Sequence, residues 1–133
     1  MANYYATVRS NYFKVKDADK FKSWIDRLGL ELFENKDGVF GFGSMDEGLP
    51  TCVLREDGEY DDVDVVEDIS EYLAEGEVAI IQEIGSEKLR YLVGYAVAID
   101  WKNEKKWVNL CDIYDIVGEK YGKWGKDISR CEY

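Results

Sequence analysis

The chain has 133 residues, 46% hydrophobic and 14% aromatic, with 28 acids against 17 bases for a net charge of −11. That apolar content rules out charge-driven disorder, and that length suits one domain with its own core spanning residues 1–133. Histidine is absent, which excludes Ser-His-Asp and Cys-His triads and every zinc site that uses imidazole.

Tyr4 to Val15 is rich in β-branched and aromatic residues and reads as a strand, with a break at Asn11. Asp17 is placed to cap a helix in which Phe21, Trp24, Ile25 and Leu28 recur at helical spacing before Gly29 ends it. Leu30 to Glu34 and Val39 to Phe42 read as a hairpin turning through Asn35-Lys36-Asp37-Gly38. Thr51 to Arg55 is a further short strand beyond Pro50, the single proline. After an acidic loop from Glu56 to Asp62, the positions Val65, Val66, Ile69, Tyr72 and Leu73 trace a second helix closed by Gly76. Glu77 to Ile84, Leu89 to Asp100 and Lys106 to Leu110 read as antiparallel strands at the centre of a sheet, turning at Gly85-Ser86 and at Lys102-Asn103-Glu104. Asp112 is placed to cap a third helix carrying Ile113, Ile116, Val117 and Tyr121, and the tail from Trp124 is a last edge strand or loosely ordered. The order implies an α+β fold, a mostly antiparallel sheet with about three packed helices in a single domain.

The charge is concentrated in one place. Asp46 to Glu77 holds thirteen acids and one base, Arg55, whereas the rest of the chain is close to neutral. On the second helix Asp64, Glu67, Asp68, Glu71 and Glu75 recur at helical spacing and line one face opposite the apolar stripe, with no lysine or arginine interleaved. Such a field repels nucleic acid and anionic membrane and speeds association with basic protein surfaces, so neither direct nucleic-acid binding nor membrane binding is expected. The bland alternative is a solvated face that serves solubility.

Other chemistry is weakly supported. Asp57, Glu59, Asp61, Asp62 and Asp64 gather hard oxygen ligands, yet an EF-hand read from Asp57 places Asp62 at its glycine and Asp68 at its final glutamate. No metal, no cofactor and no catalytic residue is assigned. Gly41-Phe42-Gly43-Ser44 and Gly94 lack the lysine of a phosphate loop and read as turn or close-packing glycines. Trp24 reads as core, while Trp101, Trp107 and Trp124 lie near turns or among the lysines of the C-terminal third (Lys102, Lys105, Lys106, Lys120, Lys123, Lys126). Cys52, Cys111 and Cys131, odd in number and widely spaced, are expected to be reduced thiols. Met1-Ala2-Asn3-Tyr4-Tyr5 has no leader pattern and no apolar run is long enough for a membrane helix, so a cytoplasmic location is expected.

The stretches Tyr4-Tyr5-Ala6-Thr7-Val8-Arg9-Ser10-Asn11-Tyr12-Phe13 and Glu87-Lys88-Leu89-Arg90-Tyr91-Leu92-Val93-Gly94-Tyr95-Ala96-Val97, with the small size and acidity, resemble small acidic proteins of bacterial mobile elements. Those include anti-restriction and anti-CRISPR inhibitors, several of which are similar to nucleic acid in surface charge. The resemblance implies a host-defence inhibitor and carries over no individual residue. The leading expectation is a non-enzymatic inhibitor whose Asp57, Glu59, Asp61, Asp62, Asp64, Glu67, Asp68, Glu71 and Glu75 meet the basic surface of a nuclease or CRISPR effector, with Tyr60 as an aromatic anchor. The alternatives are an immunity protein or antitoxin against a basic nuclease toxin, a small carboxylate- or metal-dependent enzyme, and an accessory protein whose charge serves solubility alone. One unpaired edge strand would make a homodimer unsurprising.

Overall fold

Alternation sets the first strand. In β1 (Tyr5–Ser10) Ala6, Val8 and Ser10 are buried while Tyr5, Thr7 and Arg9 face out, the two-residue period of a strand with one face on a core. The computed structural model describes residues 4–121 and Ser129; the readings for Trp124, Lys123, Lys126 and Cys131 lie outside them, as do those for the side chains of Lys120 and Tyr121. The break at Asn11 is present, and the chain re-enters the sheet as β2 (Phe13–Lys14). Asn11 bridges the gap with its side chain, accepting from the Ile80 N–H at 2.7 Å and donating to the Val78 carbonyl at 3.0 Å.

Helix α1 (Ala18–Leu28) forms where its periodicity and caps place it. The Asp17 carboxylate accepts from the Lys20 N–H at 3.1 Å, and Gly29, at φ 73°, returns its N–H to the carbonyls of Ile25 and Asp26. Hairpin β3 (Glu31–Lys36) and β4 (Val39–Ser44) turns at Asp37-Gly38. Gly41 and Gly43 are close-packing positions inside β4: a Cβ there would lie 2.9 Å from the Asn11 carbonyl oxygen and 2.8 Å from that of Val8.

The acidic segment departs from its expected form. Its first part is a second, separate hairpin, β5 (Cys52–Leu54) with β6 (Tyr60–Asp62), so the end of the predicted loop is strand. The second helix is one short turn, α2 (Val65–Asp68), followed by a 3₁₀ turn, Ile69–Glu71. Sheet-like pairing competes with helix continuation: the Lys16 N–H donates to the Tyr72 carbonyl at 3.0 Å and the Ala74 N–H to that of Lys14 at 3.1 Å. The tighter turn also drops Ile69 and Leu73 together into the core.

β7 (Val78–Glu87), β8 (Tyr91–Asp100) and β9 (Lys105–Asn109) follow as antiparallel neighbours. Gly85 and Ser86 are not a turn; they lie inside β7, and the chain reverses at Lys88–Arg90 with Lys88 at φ 49°. Gly85 is there for proximity, since a Cβ on it would sit 2.6 Å from the Tyr5 carbonyl oxygen of β1. The turn at 102–104 forms as expected, its Lys102 and Glu104 N–H groups both donating to the Asp100 carboxylate at 2.9 Å. In α3 (Asp112–Tyr121) Asp112 is the first helical residue rather than the cap, and its carboxylate accepts from the Asn109 N–H at 2.8 Å.

The main sheet runs β2-β4-β1-β7-β8-β9 with β3 also paired to β4, every pairing antiparallel. β7 and β8 are interior, but β9 is an edge, which corrects its expected central place. The fold is α+β. One sheet face packs against α1 and the α2 segment, where Phe21 meets Phe13, Phe40, Tyr72 and Trp24 at ring-centroid distances of 5.6, 5.7, 6.0 and 6.1 Å. Each such aromatic pair contributes about 0.5–1.5 kcal/mol beyond simple burial. Among the described residues no helix covers the opposite face, where Tyr5, Ile84, Leu92 and Val108 are each more than half exposed. No helix among the described residues is long and apolar enough to cross a membrane.

Candidate functional site

Asp57-Gly58 turns hairpin β5–β6 much as Asp37-Gly38 turns β3–β4. Gly58 has φ 88°, the Asp57 carboxylate accepts from the Glu59 N–H at 2.9 Å, and the Arg55 N–H closes the turn on the Glu59 carbonyl at 2.7 Å. The register pairs Leu54 with Tyr60, Val53 with Asp61 and Cys52 with Asp62. Val53 points into the core; Leu54 and Tyr60, directly opposite each other, point to solvent and are 64% and 65% exposed. An apolar cross-strand pair thus stands among the carboxylates of Glu56, Glu59 and Asp62, all exposed.

The predicted acids do not form one uninterrupted set. Asp61 is held by two guanidiniums, Arg27 at 2.7 Å and Arg55 at 3.2 Å, and Arg55 also reaches Asp57 at 3.1 Å. The Asp64 carboxylate caps α2 by accepting from the Glu67 N–H at 3.1 Å. Glu67 receives the Lys105 ammonium at 2.9 Å and the Asn103 amide at 2.8 Å, and these hydrogen bonds, Lys105 first, hold its carboxyl below its ordinary pKa. So Arg27 and Lys105, distant in sequence, join Arg55, the segment's own base, in pairing its acids. Because α2 ends at Asp68, Glu75 lies beyond any helical face and the predicted single stripe does not exist. Among the described residues the carboxylates of Glu59, Asp62, Asp68, Glu71 and Glu75 enter no hydrogen bond or ion pair. Tyr72, stacked on Trp24 at 4.4 Å, has its hydroxyl pKa raised by burial and then by the charges of Glu71 and Asp68.

Sequence reasoning missed two features. The Leu54–Tyr60 pair was legible in the Asp57-Gly58 turn signal between two alternating stretches. The second is Glu83, a buried acid whose carboxylate accepts from the Tyr4 hydroxyl at 2.7 Å, the Leu49 N–H at 2.9 Å and the Tyr95 hydroxyl at 3.1 Å. Its signal is phase, since Glu83 follows Ala79 and Ile81 on the inward side of β7. Burial first, and then the Glu83 carboxylate, raise the pKa values of both Tyr4 and Tyr95 above the ordinary tyrosine value of 10.0. The backbone approaches closely here as well: a Cβ on Gly48 would lie 2.9 Å from a Glu83 oxygen. Three donors give both oxygens of this carboxylate a partner, and the arrangement pins the loop carrying Leu49 to β7 and β8. A pocket of about 370 Å³ beside it is lined by residues including Leu49, Val63, Val66 and Tyr95.

Among the described residues no group of three or more Cys, Asp or Glu side chains is placed to hold a metal ion. What the acidic surface offers chemically is a set of hydrogen-bond acceptors for lysine and arginine around an apolar centre. Comparison with protein-family models, with curated proteins and with solved structures finds no match for this chain.

Proposed function

We propose that this protein is a non-enzymatic acidic inhibitor, acting in the cytoplasm, that binds the basic nucleic-acid-binding surface of a bacterial nuclease or CRISPR effector through hairpin β5–β6 and the α2 segment. The observation that carries the reading is the exposed Leu54–Tyr60 pair among unpaired carboxylates. A face that served only solubility needs charge and has no use for a leucine and a tyrosine held side by side in water. A protein interface uses both, an apolar or aromatic anchor for affinity and a charged surround for encounter rate and register. Nucleic-acid mimicry follows from the same surface, because carboxylates spaced along a folded body present acceptors to lysines and arginines that otherwise grip phosphates.

The test is affinity capture of nucleases from bacterial lysate at low and high salt, repeated with Glu59→Lys, Asp62→Lys, Glu71→Lys and Glu75→Lys combined and separately with Tyr60→Ala. The expected result is a nuclease or effector that elutes with salt and is lost by both variants, followed by inhibition of that enzyme by the purified wild-type chain. Capture that is unaffected by the four reversals would overturn the reading.

A further inference from the structure

The open face of β1, β7, β8 and β9 is organised in cross-strand rows. One row reads Leu110, Gly94, Ile84 and Thr7, and the next Val108, Ala96, Gln82 and Arg9. Ala96 and Gly94 have little or no side chain and lie in a groove of about 410 Å³ between Ile84 on one side and Val108 and Leu110 on the other, with the Leu110 side chain leaning over Gly94, where a Cβ would lie 2.7 Å from it. Tyr5, Ile84, Leu92, Val108 and Leu110 are each more than half exposed. With partly exposed Ile80 they present on the order of 600 Å² of apolar surface, at the top of what a typical monomer shows. The polar rim of Thr7, Arg9 and Gln82 brings the face to roughly the 800 Å² that each partner contributes to a standard interface.

Charge selects the occupant. Although the chain has 28 acids, β1, β7 and β9 place none on this side. On β8 only the terminal Asp100 shares the side, and its carboxylate is occupied by the two N–H groups of the following turn. The net charge of −11 comes from residues 46–77, so a second copy is repelled wherever those segments would face each other. Here two copies meet with no carboxylate of β1, β7 or β9 opposed, Glu31 of β3 lying at the margin beyond Arg9 and Gly43, and a ridge running beside a groove is complementary to itself under two-fold rotation. We infer that the chain forms a symmetric homodimer by stacking this face on its counterpart in a second copy, the Ile84 ridge of each seated in the groove of the other. Both acidic surfaces then point away from the interface, since they sit with the helices on the other side of the sheet.

Sedimentation equilibrium of the full chain over a concentration series tests this, with an expected mass of twice 15.4 kDa. Monomer mass throughout would overturn it. Ile84→Lys and Val108→Glu change exposed side chains and leave the circular dichroism spectrum as it is; each weakens the dimer on the order of a hundredfold or more by placing a charge in the interface. A dimer indifferent to both substitutions refutes the sheet-face contact. Isotope-filtered nuclear Overhauser spectra on a mixed labelled and unlabelled sample give an independent reading. Intermolecular contacts from the Ile84 and Leu92 methyls support the proposal, whereas contacts confined to the β9 edge, or occupation of the groove by residues of the same chain, overturn it.

Discussion

Replacing Glu83 by leucine separates a structural pin from an incidental buried charge. The substitution removes an acceptor shared by the Tyr4 hydroxyl, the Tyr95 hydroxyl and the Leu49 N–H. Tyr4 is exposed enough to turn toward water, but Leu49 N–H and the half-buried Tyr95 lose their acceptor without replacement. Each stranded donor costs about 1–3 kcal/mol. Relief from burying a charge and the added apolar contact offset part of that, leaving a net loss of about 2–4 kcal/mol against a total stability on the order of 5–15 kcal/mol. Glu83→Gln keeps an acceptor oxygen and loses about half as much. Urea unfolding followed by tryptophan fluorescence and circular dichroism measures both, and the leucine variant melts roughly 10 °C or more below wild type. Stability of Glu83→Leu within about 0.5 kcal/mol of wild type would refute the argument, because buried charges that do not organise their surroundings are replaced by hydrophobic residues without loss. The alkaline limb adds a second signature. Tyr4 and Tyr95 have folded-state pKa values raised above 10.0, so the folded state holds their protons more tightly than the unfolded state does. Their contribution is complete below pH 10 and falls as pH rises beyond it, and the fall is shallower in Glu83→Gln.

Gly85→Ala puts a methyl within 3 Å of the Tyr5 carbonyl oxygen and the Tyr4 hydroxyl; a clash with backbone has no soft escape, and the expected loss in urea unfolding is about 2–3 kcal/mol. Asp64→Ala removes the α2 cap and costs about 1 kcal/mol by the same assay, while Asp64→Asn retains most of the stability. Lys105→Met returns the Glu67 carboxyl toward its ordinary pKa, read by NMR titration of the side-chain carboxyl carbon. Because the folded-state pKa of Glu67 is the depressed one, the stability gained from this pair is present above the unfolded pKa and is lost as pH falls through the folded one.

Local signals were sufficient wherever one element satisfied its own requirements. Asp17, the Phe21-Trp24-Ile25-Leu28 stripe and Gly29 together specify α1, because cap, periodicity and left-handed terminator are all within one stretch of chain. Asp37-Gly38 specifies the β3–β4 turn for the same reason, and Asp57-Gly58 carries the same local signal for β5–β6 within an acidic stretch. The segregation of charge into residues 46–77 and the absence of imidazole chemistry are likewise properties of sequence alone. Tertiary structure decided the rest. The Val65–Leu73 periodicity favours a helix, but hydrogen bonds to Lys14 and Lys16, some sixty residues away, end it after one turn. Gly85-Ser86 has the composition of a turn, and only the close approach of β1 explains a glycine inside a strand. Which carboxylates remain available to a partner is a tertiary matter as well: Arg27 and Lys105 come from α1 and β9 to neutralise Asp61 and Glu67, and no pattern within the acidic segment foretells it. Periodicity and capping act over a few residues and can be read along the chain, whereas long-range pairing depends on which elements meet.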